Sequence, residues 1–231
     1  MCTVTFLPVR KTEYILTANR DESVVRAAAV FPVRNDGVLY PKDGHAGGTW
    51  IAASTPGKAV CLLNGAFTKH QHTPPYRKSR GLIVLSAFTY PNFKTFASDI
   101  ELDNIEPFTL VMLENSNGSL YELRWDGYQK HFTSLKANRP HFWCSVTLYS
   151  PEIYEKREKW FETWALNHQY TLNNVLHFHQ FGGDGDKEND LVVNRGEALK
   201  TLSISSIHLK REHPYMIYMD LQKGITFQEL L

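Results

Sequence analysis

Strand-like runs arriving in adjacent pairs constrain this chain most. "CTVTFLPV" and "EYILTANR" are β-branched and aromatic, and the short polar "RKTE" between them predicts a hairpin. "TWIAAS" and "KAVCLLN" form a second pair around "TPG", ending on Asn64, and "FTLVMLEN" and "SLYELRWDG" a third around "SNG". "KTLSISSIHLK" and "YMIYMDLQ" suit a closing hairpin, and "WCSVTLYS" is read as one more strand.

Helical segments separate these pairs. "SRGLIVLSAFTYPNFKTFASD" predicts one or two helices broken near Pro91. "SPEIYEKREKWFETWALNHQ" offers Ser150 as a cap, Pro151 in the first turn and a stripe of Tyr154, Trp160, Phe161 and Trp164 for packing on a sheet. A further helix is expected near 171–180, while "FPVRNDGVLYPKDGHAGGTW", punctuated by Pro and Gly, is expected to be irregular. Paired strands interrupted by paired helices exclude alternating βαβ units and predict an α+β sandwich, with 1–231 as one domain.

Charge and composition narrow the function. Twenty-five Lys plus Arg against 24 Asp plus Glu, a net +1, with no basic stripe, argue against nucleic acid as a partner. No apolar run reaches the roughly 20 residues of a membrane-spanning helix, and no leader pattern opens the chain, so membrane insertion is not expected and a cytoplasmic location is. Cys2, Cys61 and Cys144 are too far apart for a metal knuckle and odd in number. Histidine pairs at 70/72 and 177/179 lack completing ligands, and the acidic run Asp184, Asp186, Glu188, Asp190 has Asn189 and Arg195 where a calcium loop needs Gly and Glu. No metal site is expected.

Cys2 is the residue expected to carry any chemistry. Removal of Met1 would leave its α-amine, ordinarily with a pKa of about 7.7 to 8.0, as a base for its own thiol. The hairpin would bring it beside "TANRDE", where Asp21 can anchor the protonated amine and Arg20 can hold a substrate anion or brace the carboxylate. Asn19 joins them as a substrate-binding candidate. Asn64, ending its strand, can donate its amide to an oxyanion.

"MCTVTFLP", "LTANRDE", "GGTWIAAS" and "AVCLLNGAF" resemble, in order and spacing, the NRDE family, also called the transport and Golgi organisation protein 2 family. "FHQFGGDGDKENDLVVNRG" is similar to a branch of it. The resemblance implies the N-terminal-nucleophile hydrolase fold, a four-layer α/β/β/α sandwich. Through a more distant likeness to choloylglycine hydrolases and penicillin V acylases, it also implies Cys2 as nucleophile, Asp21 as its partner and Asn64 as oxyanion donor. Trp50 would wall the pocket and Arg195 would match a distal acylase arginine. Ala18 stands where the acylases have Arg, and Tyr149 where they have a second Asn.

Two functions follow. One is hydrolysis of a linear non-peptide amide by Cys2, with no metal or organic cofactor. The other is non-catalytic binding or trafficking of haem, lipid or acyl-CoA on the same fold, suggested by the missing second Asn and the many aromatic side chains.

Overall fold

The computed structural model describes residues 3–26 and 28–231, with backbone alone at 28–30. In chain order the elements are β1 (Thr3–Arg10), β2 (Glu13–Glu22), β3 (Ala28–Asn35), β4 (Val38–Asp43), β5 (Ile51–Ser54), β6 (Lys58–Asn64), α1 (Arg80–Ser86) and α2 (Phe93–Asp99). Then follow β7 (Phe108–Glu114), β8 (Ser119–Trp125), β9 (Lys130–Leu135), β10 (His141–Cys144), α3 (Pro151–Asn167), α4 (Leu172–Phe181), β11 (Lys200–Leu209), β12 (Tyr215–Asp220) and β13 (Ile225–Leu230).

The strands build two antiparallel sheets, ordered β10-β1-β2-β11-β12-β13 and β3-β4-β5-β6-β7-β8-β9. Alternation along each strand lets both sheets be apolar on two faces. Val4, Phe6, Leu16 and Ala18 from one sheet meet Ile51, Cys61 and Val111 from the other. On the outside of the six-stranded sheet, Leu7 and Ile15 pack on Phe161 and Trp164 of α3 and on Val175 and Phe178 of α4. On the outside of the seven-stranded sheet, Val60, Leu110 and Met112 pack on Ile83 and Val84 of α1 and on Phe93 and Phe96 of α2. The result is the expected four-layer α/β/β/α sandwich.

Local chemistry sets the helix starts. Ser150 Oγ accepts from Ile153 N ahead of Pro151, Thr171 Oγ1 from Asn174 N, and Asn92 Oδ1 from Thr95 N. Gly47 turns with φ +71°, while a Cβ on Gly48 would stand 2.5 Å from the Gly81 carbonyl carbon, so this Gly-Gly pair brings the loop before β5 onto the start of α1.

Two expectations need correction. The stretch read as irregular holds β3 and β4, joined by a turn in which Asp36 and Gly37 both have positive φ, the geometry favoured in two-residue hairpins. Pro32 and Pro41 sit opposite each other in this pair at the sheet margin, so neither removes a central ladder bond. "WCSVTLYS" is strand only as far as Cys144, because beyond it Ser145 O accepts from Leu148 N and Tyr149 N and turns the chain toward α3.

Candidate active site

Strand period divides the "NRDE" cluster between two faces. Asn19 and Asp21 point toward the α3/α4 layer, while Arg20 points between the sheets. Asp21, 2% exposed, accepts from the Tyr149 hydroxyl at 2.7 Å and from Thr201 Oγ1 at 2.6 Å. Thr201 Oγ1 in turn accepts from Val193 N, which fixes its direction. Thr3, bonded directly to Cys2, pairs with Asn19 on one side and Cys144 on the other. Cys2 itself lies outside the described residues.

Asn64 ends β6 with its carbonyl accepting from Ser145 Oγ at 2.9 Å. Its carboxamide has no hydrogen-bond partner among the described residues, so its N–H groups remain available. Asn64 also belongs to the walls of two cavities. The first, about 620 Å³, is lined largely by apolar and aromatic groups, including Leu63, Ala66, Phe67, Trp143, Leu148 and Tyr154. The second, about 330 Å³, is polar and contains Arg20, Trp50, Asp43 and Lys78.

The sequence candidates separate accordingly. Trp50 walls the second cavity, with the Arg20 guanidinium 4.4 Å from its ring centroid. Arg20 Nη2 pairs with Asp43 at 3.0 Å; burial lowers the Arg20 pKa, with Asp43 and Glu22 opposing. Burial also works against the Asp43 carboxylate, yet backbone N–H donors from Ala46 and His45, then Arg26 and Arg20, hold it below its ordinary value. Tyr149 walls the first cavity, but its hydroxyl is directed to Asp21. Arg195 reaches neither cavity wall: it lies over the Tyr149 ring at 5.3 Å and donates to the carbonyls of Glu188 and Leu148.

Asn19 is not in either wall. Its Nδ2 donates to the carbonyls of His179 and Leu191, and its Oδ1 accepts from His179 Nδ1 at 2.7 Å. His179 Nε2 faces Thr5 Oγ1 at 2.8 Å, and these contacts pin α4 onto the strands. Burial pushes His179 down to about 3. An unfolded chain protonates this ring near pH 6.5 whereas the folded one resists, so its contribution is complete above pH 6.5 and declines as pH falls toward 3. Urea unfolding at pH 6.5 and 5.0 is expected to show roughly 2 kcal/mol of loss traceable to this residue. A His179→Gln variant should lack that part of the slope.

Sequence reasoning missed Arg157. It is fully buried in α3, its guanidinium lies 3.6 Å from the Tyr149 ring centroid, and it donates to Thr3 Oγ1, Asn189 O and Asp190 O. Burial opposes its charge, but Cys144, Tyr149 and Asp21 leave its pKa above the ordinary value. The signal was present, because 157, 161 and 164 share one helix face with two core aromatics.

The other polar groups fold back on themselves. His70 and His72 both meet Glu106, which also pairs with Arg80, and Asp190 accepts from Asp184 N and Gly185 N within its loop. Among the described residues no group of His, Cys, Asp or Glu is arranged to hold a metal, and no helix is long and apolar enough to cross a membrane.

This architecture is shared with solved hydrolases. A variant of conjugated bile acid hydrolase from Clostridium perfringens superposes with a TM-score of 0.62 at 10% identity, covering 100% of this chain and 92% of that one. A second variant of that enzyme gives 0.61 at 10% identity, covering 99% and 92%. The Caenorhabditis elegans ortholog of N-acylethanolamine-hydrolyzing acid amidase gives 0.59 at 9% identity, covering 89% and 92%. No curated protein sequence matches the chain significantly. The Transport and Golgi organisation 2 family matches residues 1–204, and with the strand pairs, the "NRDE" strand and the four layers all in place, the chain belongs to that family and has the N-terminal-nucleophile hydrolase fold.

Proposed function

We propose that this protein is an N-terminal cysteine hydrolase of linear, non-peptide amides. The observation that carries the reading is Asp21: a buried carboxylate, oriented by two hydroxyl donors, on the strand paired with the segment that begins at Thr3. Once Met1 is removed, the Cys2 α-amine takes the thiol proton and Asp21 stabilises the resulting ammonium. The thiolate attacks the amide carbon, and the Asn64 carboxamide donates to the oxyanion. The ammonium proton passes to the nitrogen as the carbon–nitrogen bond breaks, leaving a thioester that water cleaves with the amine again as base. The apolar first cavity suits the acyl half of the substrate.

Iodoacetamide labelling followed by peptide mapping tests this reading. Label is expected on Cys2 of a Met-free chain, with Cys61 and Cys144 as internal controls, since burial raises these thiols to about 12 and about 11. A chain that keeps Met1, with Cys2 no more reactive than the buried pair, overturns it.

One observation favours the binding alternative. The Tyr149 hydroxyl, which stands where the acylases carry a second amide donor, is directed to Asp21. A binder would use the same apolar cavity for lipid or acyl-CoA. Among the described residues neither cavity has a histidine in its wall to offer haem an imidazole ligand. Saturable acyl-CoA binding without turnover of any acyl amide would support this reading over hydrolysis.

A further inference from the structure

Of the seven buried side-chain nitrogen and oxygen atoms that lack a hydrogen-bond partner among the described residues, three belong to the wall of the second cavity: Arg20 Nη1, Arg26 Nε and Trp50 Nε1. The first cavity has none of them, although it is the larger. All three are donors, and two of them, on Arg20 and Trp50, sit on residues only 3% exposed. A buried N–H without an acceptor is destabilising, so three in one cavity wall is a polarity that an incoming acceptor would satisfy.

The surrounding charges agree with that polarity. Asp43 is already engaged by Arg20 Nη2 and Arg26 Nη2 and by the backbone N–H groups of His45 and Ala46. Glu22 is paired with Arg26, and Glu106 with Arg80. Lys78, in the same wall, has no carboxylate partner among the described residues. Each acidic group lining this cavity therefore has a cation, while one cation and three N–H donors remain.

We propose that the second cavity is a binding site for an oxyanion, a phosphate or carboxylate group, held by Arg20 and Trp50 with Arg26 and Lys78 adding charge. The Arg20 guanidinium is rigidly oriented, since Asp43 holds one side of it and the Trp50 ring stacks on its face, leaving Nη1 free of protein acceptors. The Trp50 indole adds a neutral donor from the opposite sheet, so the anion would bridge the two sheets at one end of the sandwich. Asn64 lines both this cavity and the apolar one, so the two sources to distinguish are a free oxyanion and the charged end of an amphiphilic ligand. The site stands on this cavity alone, and an inert Cys2 would leave it intact.

Titration of the full chain with inorganic phosphate, followed by the Trp50 indole N–H resonance and by calorimetry, tests it. The expected result is a saturable shift of that one indole among five, with affinity falling as salt rises. Trp50→Phe keeps a ring beneath Arg20 and deletes the donor, and should weaken phosphate about tenfold. Arg20→Lys keeps the charge beside Asp43, removes Nη1 and should weaken it by about tenfold or more; if this variant fails to fold, Trp50→Phe decides. Hexyl phosphate separates the two sources. Binding about tenfold tighter than inorganic phosphate identifies the charged end of an amphiphile, and equal binding identifies a free anion. No saturable indole shift with either probe, or equal affinity in wild type and Trp50→Phe, overturns the proposal.

Discussion

Asp21→Asn is expected to slow the reaction of Cys2 with acylating or alkylating reagents at pH 7 by roughly 100-fold while the fold is retained. The amide oxygen can still accept from one of the Tyr149 and Thr201 hydroxyls that now donate to Asp21, so the substitution keeps the shape of the side chain and removes its charge. That charge is what would hold the Cys2 ammonium between proton transfers. The half-maximal pH of labelling should therefore move along with the rate, a change that a merely structural carboxylate would not produce. Urea midpoints measured in parallel separate the two cases, and an unchanged rate and pH profile would remove Asp21 from the mechanism.

Arg157→Met should be the most damaging single change to the scaffold beneath the site, with a loss of about 3 to 5 kcal/mol and a melting temperature roughly 10 °C lower. Methionine replaces the aliphatic stem but leaves Thr3 Oγ1 and the carbonyls of Asn189 and Asp190 without their donor. It also removes the cation stacked on Tyr149, whose hydroxyl orients Asp21. Arg157→Lys should fall between, because one ammonium lacks the planar fork that reaches both carbonyls and the hydroxyl together. A methionine variant within about 1 kcal/mol of wild type would show that the guanidinium is not what ties α3 to β1.

The sheets were legible because alternating apolar residues and compact turns such as "TPG" and "SNG" leave little freedom of register, and the structure pairs β5 with β6 and β7 with β8 as those turns require. β3 and β4 were hidden by Pro32 and Pro41, whose usual meaning as strand breakers does not hold at a sheet margin. The "NRDE" residues were identified as polar groups at a strand end, but read as one cluster. Applying the two-residue period would have divided them, sending Asn19 to a structural contact with His179 and Arg20 to the second cavity. Arg195 shows the remaining difficulty: it stacks on Tyr149 across a long stretch of chain, and a contact of that kind leaves no local pattern in sequence.

The proposed chemistry requires the residue preceding Thr3 to be a free N-terminal cysteine. The intact mass of the protein purified from its own cells reads this out. The expected chain is lighter by one methionyl residue, with an unblocked amine on Cys2. A chain that retains Met1, or whose terminal amine is acetylated, would contradict it, because the base and the counter-ion assigned to Asp21 would then be missing from the reaction.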